Sequence, residues 1–166
     1  MSTYTEEEYC PNRRLRARRH CCDGKVHRED GPAVEVFDKN GILETHVWYR
    51  HNEIHREDGP AYESFYGNGI CVARLWYTND KWHRSDGPAR EAFSKDGQLT
   101  FREWYIDGKL HRLDGPAKEY FTPNGSQSNA SYFLDGQPVD KSEYQRLVAL
   151  QKLSTKIVTA YDMHQL

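Results

Sequence analysis

Long apolar runs are missing from this chain of 166 residues; none approaches the roughly 18 residues that a membrane-spanning helix needs. No phosphate-binding GxxxxGK motif, GxGxxG fingerprint, HExxH pair or GxSxG elbow occurs, and no nucleophile can be matched with a base, so an enzyme is not expected. Cysteine is sparse and irregular (Cys10, Cys21, Cys22, Cys71), which excludes a disulfide framework and points to free thiols in a reducing compartment. No signal-peptide pattern precedes Glu6, Glu7 and Glu8, and the expectation is a soluble, cytoplasmic protein. A large excess of one charge is also lacking: the net charge of −2 argues against bulk nucleic-acid binding.

Aromatic residues are abundant instead, with eleven Tyr, six Phe and four Trp against only two Met. Mean hydropathy is −0.95. Disordered chains are poor in aromatics, so a folded chain with a thin sheet is expected rather than a thick globule.

The dominant feature is a repeat. HRxDGPA begins at His27, His55, His83 and His111, 28 residues apart. In phase follow Glu35, Glu63, Glu91 and Glu119, then Phe37, Phe65, Phe93 and Phe121. Gly41, Gly69, Gly97 and Gly125 come next, followed by Trp48, Trp76, Trp104 and, in the last copy, Tyr132. Each unit carries two turn signals. Asn40-Gly41, Asn68-Gly69, Asp96-Gly97 and Asn124-Gly125 predict two-residue type I′ hairpins. His51-Asn52, Asn79-Asp80, Asp107-Gly108 and Asp135-Gly136 mark the second turn. The stretches between are rich in strand-forming side chains.

A two-residue turn at Asn40-Gly41 sets the register. It pairs Lys39 with Ile42, Phe37 with Glu44, Glu35 with His46 and Ala33 with Trp48. The same spacing puts Glu63 opposite Arg74, Glu91 opposite Arg102 and Glu119 opposite Ala130, an acid–base pairing that breaks in the last copy. In DGP, glycine is expected to supply an unusual backbone angle and proline to mark a strand start or bulge.

One period upstream of Glu35, Phe37, Asn40 and His46 stand Glu7, Tyr9, Asn12 and Arg18, which predicts a degenerate first hairpin over residues 4–22. Four hairpin repeats then fill 23–140. Asp140 and Glu143 have the spacing of a capping box, and Tyr144, Leu147, Val148, Leu150, Leu153, Ile157, Val158 and Tyr161 recur at helical spacing. A helix over 141–162 is expected to cover the open end of the array. The fold class is therefore mainly β: one domain, an elongated single-layer antiparallel sheet of tandem hairpins with a C-terminal capping helix.

Hairpins with recurring glycine and aromatic positions resemble MORN-type repeats, and HRxDGPA with a following NG and WY resembles a repeat class of uncharacterised viral, phage and bacterial proteins. The resemblance covers residues 23–140. It implies a scaffold for protein association or surface attachment, and, in its viral form, an inhibitor of a host defence protein acting in the host cytoplasm. No catalytic residues follow from it.

The four HRxD segments offer His and Asp, but equivalent residues of successive hairpins lie about 9–10 Å apart, too far to share a zinc bound at about 2.0–2.1 Å. Their expected roles are structural, with Asp capping the DGP turn and His packing beside the preceding Trp. Cys10, His20, Cys21 and Cys22 lack zinc-site spacing, since neighbouring strand residues point to opposite faces. No metal or cofactor is expected. Recognition is expected where the units differ, opposite the Trp face: Val34, Tyr62, Arg90 and Lys118, and Thr45, Ala73, Phe101 and Asn129. Of these, Tyr62, Arg90, Phe101 and Lys118 are the candidate protein-binding residues. Arg13, Arg14, Arg16, Arg18 and Arg19 form the one strong charge feature, with Arg14, Arg16 and Arg18 expected on one face beside His20. They are either an anionic-ligand stripe or a solvated edge strand guarded by charge. The leading expectation is a protein-binding scaffold module. Nucleic-acid association through the arginines is the first alternative, and self-assembly through a sheet edge or the helix is the second.

Overall fold

The computed structural model describes residues 2–163, with side chains as far as Ser154. Strands β1 (Thr3–Tyr9) and β2 (Leu15–Cys22) form the first hairpin, and β3 (Lys25–Val26) folds back on β2. The next unit runs β4 (Val34–Phe37), β5 (Leu43–Val47), β6 (Tyr49–Arg50) and β7 (Glu53–Ile54). It is followed by β8 (Tyr62–Phe65), β9 (Cys71–Leu75), β10 (Tyr77–Thr78) and β11 (Lys81–Trp82). Then come β12 (Arg90–Phe93), β13 (Leu99–Glu103), β14 (Tyr105–Ile106) and β15 (Lys109–Leu110). The last unit has β16 (Lys118–Phe121), β17 (Gln127–Leu134) and β18 (Gln137–Val139), and helix α1 (Lys141–Met163) ends the chain. The long strands join in one open antiparallel sheet in the order β1-β2-β4-β5-β8-β9-β12-β13-β16-β17-β18, while β6-β7, β10-β11 and β14-β15 are short hairpins beside it.

The first turn class departs from the sequence expectation of a two-residue type I′ turn. At Asn40-Gly41 only the glycine has positive φ (86°). The Gly41 amide donates to the Asp38 carbonyl and the Asp38 amide to the Ile42 carbonyl. This is a three-residue loop, a type I turn followed by a left-handed glycine, so Lys39 does not pair with Ile42. A bulge in β5 then skips Glu44, which puts Phe37 opposite Leu43 and restores Glu35 opposite His46. The two one-residue departures cancel, which is why the acid–base pairs emerge as expected. The same loop hydrogen bonds occur at Cys10–Arg14, where Arg13 holds φ 63° in the glycine's place. Type I′ geometry, with positive φ at both central residues, lies at the second turns: His51-Asn52, Asn79-Asp80, Asp107-Gly108 and Asp135-Gly136, and also Asp23-Gly24.

The paired residues form a row across the sheet: Glu7, Arg18, Glu35, His46, Glu63, Arg74, Glu91, Arg102, Glu119, Ala130. Acid alternates with base at every step until Ala130. Many of its contacts cross between units: Arg18 to Glu35 at 3.4 Å, His46 to Glu63 at 2.9 Å and Arg102 to Glu119 at 2.5 Å. Cross-strand pairs of this kind contribute roughly 0.2–1 kcal/mol each, so the row helps to hold unit to unit.

HRxDGPA completes the joint. The His27, His55, His83 and His111 rings accept, at Nδ1, the backbone amide of the residue 24 positions on, at 3.1–3.4 Å. The following arginine donates to the Asp two residues later, as Arg56 does to Asp58 at 2.7 Å, and to the proline carbonyl. Its guanidinium lies over the preceding Trp: Arg56 on Trp48 and Arg84 on Trp76 at 4.1 Å, Arg112 on Trp104 at 3.8 Å. The Asp therefore holds the arginine rather than capping the turn. The glycine of DGP has no positive φ; a Cβ on Gly31, Gly59, Gly87 or Gly115 would stand 2.8–3.0 Å from that guanidinium carbon. The alanine is fully buried in all four copies, and its carbonyl accepts from the neighbouring unit: the Trp48 amide donates to Ala61 and the His20 amide to Ala33, whose own amide donates to Val47 of its unit.

The core is correspondingly thin. Ala17, Cys21, Val47, Tyr105 and these alanines are buried, and among the described residues no large side chain is fully so. At the C-terminal end Asp140 caps α1, its carboxylate accepting the Glu143 amide at 2.8 Å. The Tyr144 ring packs at a tilt against Tyr132, with centroids 4.6 Å apart, and its hydroxyl accepts the Gly115 amide at 2.9 Å. Tyr132 belongs to the Trp column, so the helix begins on the face that carries the acid–base row. Among the described side chains of the helix Tyr144 and Val148 are buried, while Leu150 and Leu153 are exposed.

Candidate binding face

Strand side chains alternate between faces, so the acid–base row, the Phe column and the Trp column share one face and the intervening residues share the other. There the pairing sets up two rows. One reads Glu6, Arg19, Val34, Val47, Tyr62, Leu75, Arg90, Glu103, Lys118, Ser131. The other reads Glu8, Ala17, Val36, Thr45, Ser64, Ala73, Ala92, Phe101, Tyr120, Asn129. The first is apolar from Val34 to Leu75 and charged beyond. The second is small in the middle and aromatic near the C-terminal end. Tyr62, Arg90, Phe101 and Lys118 all lie here and are partly exposed.

Arg90, Phe101 and Lys118 belong to one cluster. Glu103 is only 4% exposed; it accepts from Arg90 Nη1 at 2.6 Å and pairs with Lys118 Nζ at 2.9 Å. Its carboxylate also lies 3.5 Å from the Tyr105 hydroxyl. The bond to Glu103 raises the Lys118 pKa above its ordinary value, and burial, with the Glu103 charge next, raises that of Tyr105. Arg90 also lies over Trp82 at 4.6 Å and over Phe101 at 5.4 Å. Its Nε and the Trp82 Nε1 are buried without an acceptor among the described residues. Tyr62 stands apart, opposite Leu75. The arrangement offers apolar and aromatic surface and an arginine, residue types enriched at protein-contact centres, beside a charge triad whose acid is buried.

The arginines do not make a continuous stripe. Arg14 donates to the Asn40 carbonyl at 2.6 Å. Arg16 is the residue skipped by the bulge in β2 and pairs with Glu8 at 3.7 Å. Arg18 sits between Glu7 and Glu35. Among the described residues no carboxylate lies within 4.0 Å of Arg13 or Arg19. Nor is the arginine strand an edge: β2 lies between β1 and β4, and the edge is the acidic β1.

Trp82, Glu103 and Tyr105 complete the cluster and were not singled out from the sequence. The signal was present in two of them: Glu103 stands where the other units carry Val47, Leu75 and Ser131, and Trp82 where they carry Ile54 and Leu110. Among the described residues no helix is long and apolar enough to cross a membrane. No protein-family model matches the chain, and no curated protein matches it.

Proposed function

We propose that the chain is a non-enzymatic protein-binding module whose partner sits on the face opposite the acid–base row, over Tyr62, Leu75, Arg90, Phe101 and Lys118. One observation carries this reading. The residues that recur are engaged in joining unit to unit, through the His staple, the Arg–Trp stack and the acid–base row, whereas the residues that change gather on the other face. Recurrence answers a packing problem that every hairpin shares; variation at exposed positions is free to serve recognition. The resemblance to viral and phage repeats supports a specific form, an inhibitor that occupies a host defence protein.

The test is affinity capture from cell lysate at low and high salt, with protein and nucleic acid quantified in the eluate. Wild-type chain is compared with Tyr62→Ser/Phe101→Ser. A protein retained at high salt by the wild type and lost with the double variant supports the reading. Nucleic acid retained only at low salt would instead favour phosphate contacts through the arginines, because counterion release makes such binding steeply salt-dependent.

A further inference from the structure

The acid–base row is incomplete at its N-terminal end. Three interior acids have a basic residue on both sides: Glu35 between Arg18 and His46, Glu63 between His46 and Arg74, Glu91 between Arg74 and Arg102. Glu7 has Arg18 on one side only, because β1 has a single neighbour among the described strands. All seven residues of β1 are exposed, and the strand pairs regularly with β2 from Thr3 to Glu8.

Main-chain geometry at this edge follows from the interior. The His20 amide donates to the Ala33 carbonyl, so alternate residues of β2, Arg18 among them, direct their main chain toward β4. Arg18 and Glu7 therefore form a pair without mutual main-chain bonds, and the N–H and C=O of Glu7 and Thr5 face away from the sheet. Glu35 offers its own main chain to Arg18 in this same way. Where an acid strand meets the basic strand before it, two steps repeat: base opposite acid and, two residues on, an aromatic ring opposite a small residue. Arg18 and His20 meet Glu35 and Ala33; His46 and Trp48 meet Glu63 and Ala61; Arg74 and Trp76 meet Glu91 and Ala89; Arg102 and Trp104 meet Glu119 and Ala117. At the open edge Glu7 and Thr5 hold the acid and small positions.

We propose that the β1 edge is a second docking surface, which takes an extended segment of a partner protein bearing a basic residue, one spacer and an aromatic residue, added antiparallel with the base opposite Glu7 and the aromatic opposite Thr5. Main-chain bonds supply affinity and the row supplies selection. A second copy of β1 does not fit, since antiparallel self-pairing about Glu7 sets Glu6, Glu7 and Glu8 against acids. The far end of the array does not fit either, because the row ends there in Ala130.

The probe is a capped synthetic peptide of residues 71–78 with Cys71→Ser, which carries Arg74, Leu75 and Trp76, titrated into the full chain. Readouts are fluorescence anisotropy and amide hydrogen exchange. The expected result is saturable binding below 1 mM, with at least tenfold slower exchange at Thr5 and Glu7. Arg74→Glu in the peptide should weaken binding at least tenfold, and N-methylation of alternate peptide amides should abolish it. Glu7→Lys in the protein, with its fold checked by circular dichroism, should reverse the preference between the Arg and Glu peptides. No binding at 1 mM, equal binding by the Arg and Glu peptides, indifference to N-methylation, or protection away from β1 would each overturn the proposal. Tyr62→Ser/Phe101→Ser should leave peptide binding unchanged, which separates this edge from the opposite face.

Discussion

Gly87 is a place where one methyl group decides whether a joint closes. A Cβ there would stand 2.8 Å from the Arg84 guanidinium carbon. Since the backbone angle is ordinary, Gly87→Ala acts by pushing Arg84 off Trp76 and Asp86. We expect a loss of about 1 kcal/mol, the scale of a partly desolvated cation–aromatic contact. In an Arg84→Ala background the same change should cost nothing, a coupling that a double-mutant cycle by denaturant unfolding would read. The opposite case is Arg13, which holds φ 63° without a carboxylate partner among the described residues. Arg13→Gly should raise stability by about 0.5–1 kcal/mol, because glycine enters the left-handed region without the Cβ clash; unchanged stability would show that the turn is not strained. The HRxDGPA spacing was plain in the sequence, but the reason for its glycine was not. A glycine kept for its φ and one kept for an arginine overhead look alike until the arginine's path is known.

Among the elements, the acid–base row gives two glutamates opposite signs. Glu63 bonds His46, and that bond, ahead of the nearby arginines, holds its carboxyl below the ordinary value. Its contribution is complete above the unfolded-chain value and is lost as pH falls through the folded value. Among the described residues the Glu91 carboxylate makes no ion pair or hydrogen bond, since Arg74 turns to Glu63 and Arg102 to Glu119; burial raises its pKa. The folded chain therefore binds that proton more tightly, and Glu91 weighs against stability at neutral pH but less so as pH falls. In urea titrations from pH 7 down to pH 3, Glu63→Gln should destabilise at pH 7 by about 1 kcal/mol and flatten the acid limb. Glu91→Gln should be neutral or stabilising at pH 7, and its advantage should fade toward pH 3. Equal effects of both substitutions would contradict the unequal partnering. The helix is anchored through Tyr144, which contacts Tyr132 and the Gly115 amide: Tyr144→Ala should cost about 3 kcal/mol, in the range of large-to-small aromatic replacements, and reduce helical ellipticity. Pairing of Glu35 with His46 was legible in the sequence even though the turn was assigned the wrong type. A one-residue error at the loop was cancelled by a bulge that no local signal announces. The departure of the first turn has a physical source as well: Asn-Gly suits both geometries, and the Asp38 carboxylate, which accepts the Asn40 and Ile42 amides, stabilises the longer loop.

Across the whole molecule, each unit touches chiefly its neighbours and buries little of its own, so stability should be distributed along the array as in other repeat proteins. The same organisation sets the recurring residues on one face, where they join units, and the varying residues on the other, where only the Glu103–Lys118 pair among the described ion pairs also joins two units. The division was readable from the sequence at Tyr62, Arg90, Phe101 and Lys118. The Glu103 triad was not, because it unites residues from separate units that meet only through the register of β12, β13 and β16. In the arginine cluster Arg16 and Arg18 take carboxylate partners from β1 and β4, which the register rather than the charge pattern assigns. The most direct measurement compares wild type and Tyr62→Ser/Phe101→Ser side by side, recording the thermal midpoint and the protein retained from lysate at high salt. The account predicts closely similar midpoints and loss of the retained partner with the double variant. Retention that survives the double substitution, or a midpoint that collapses with it, would contradict the assignment of this face to recognition.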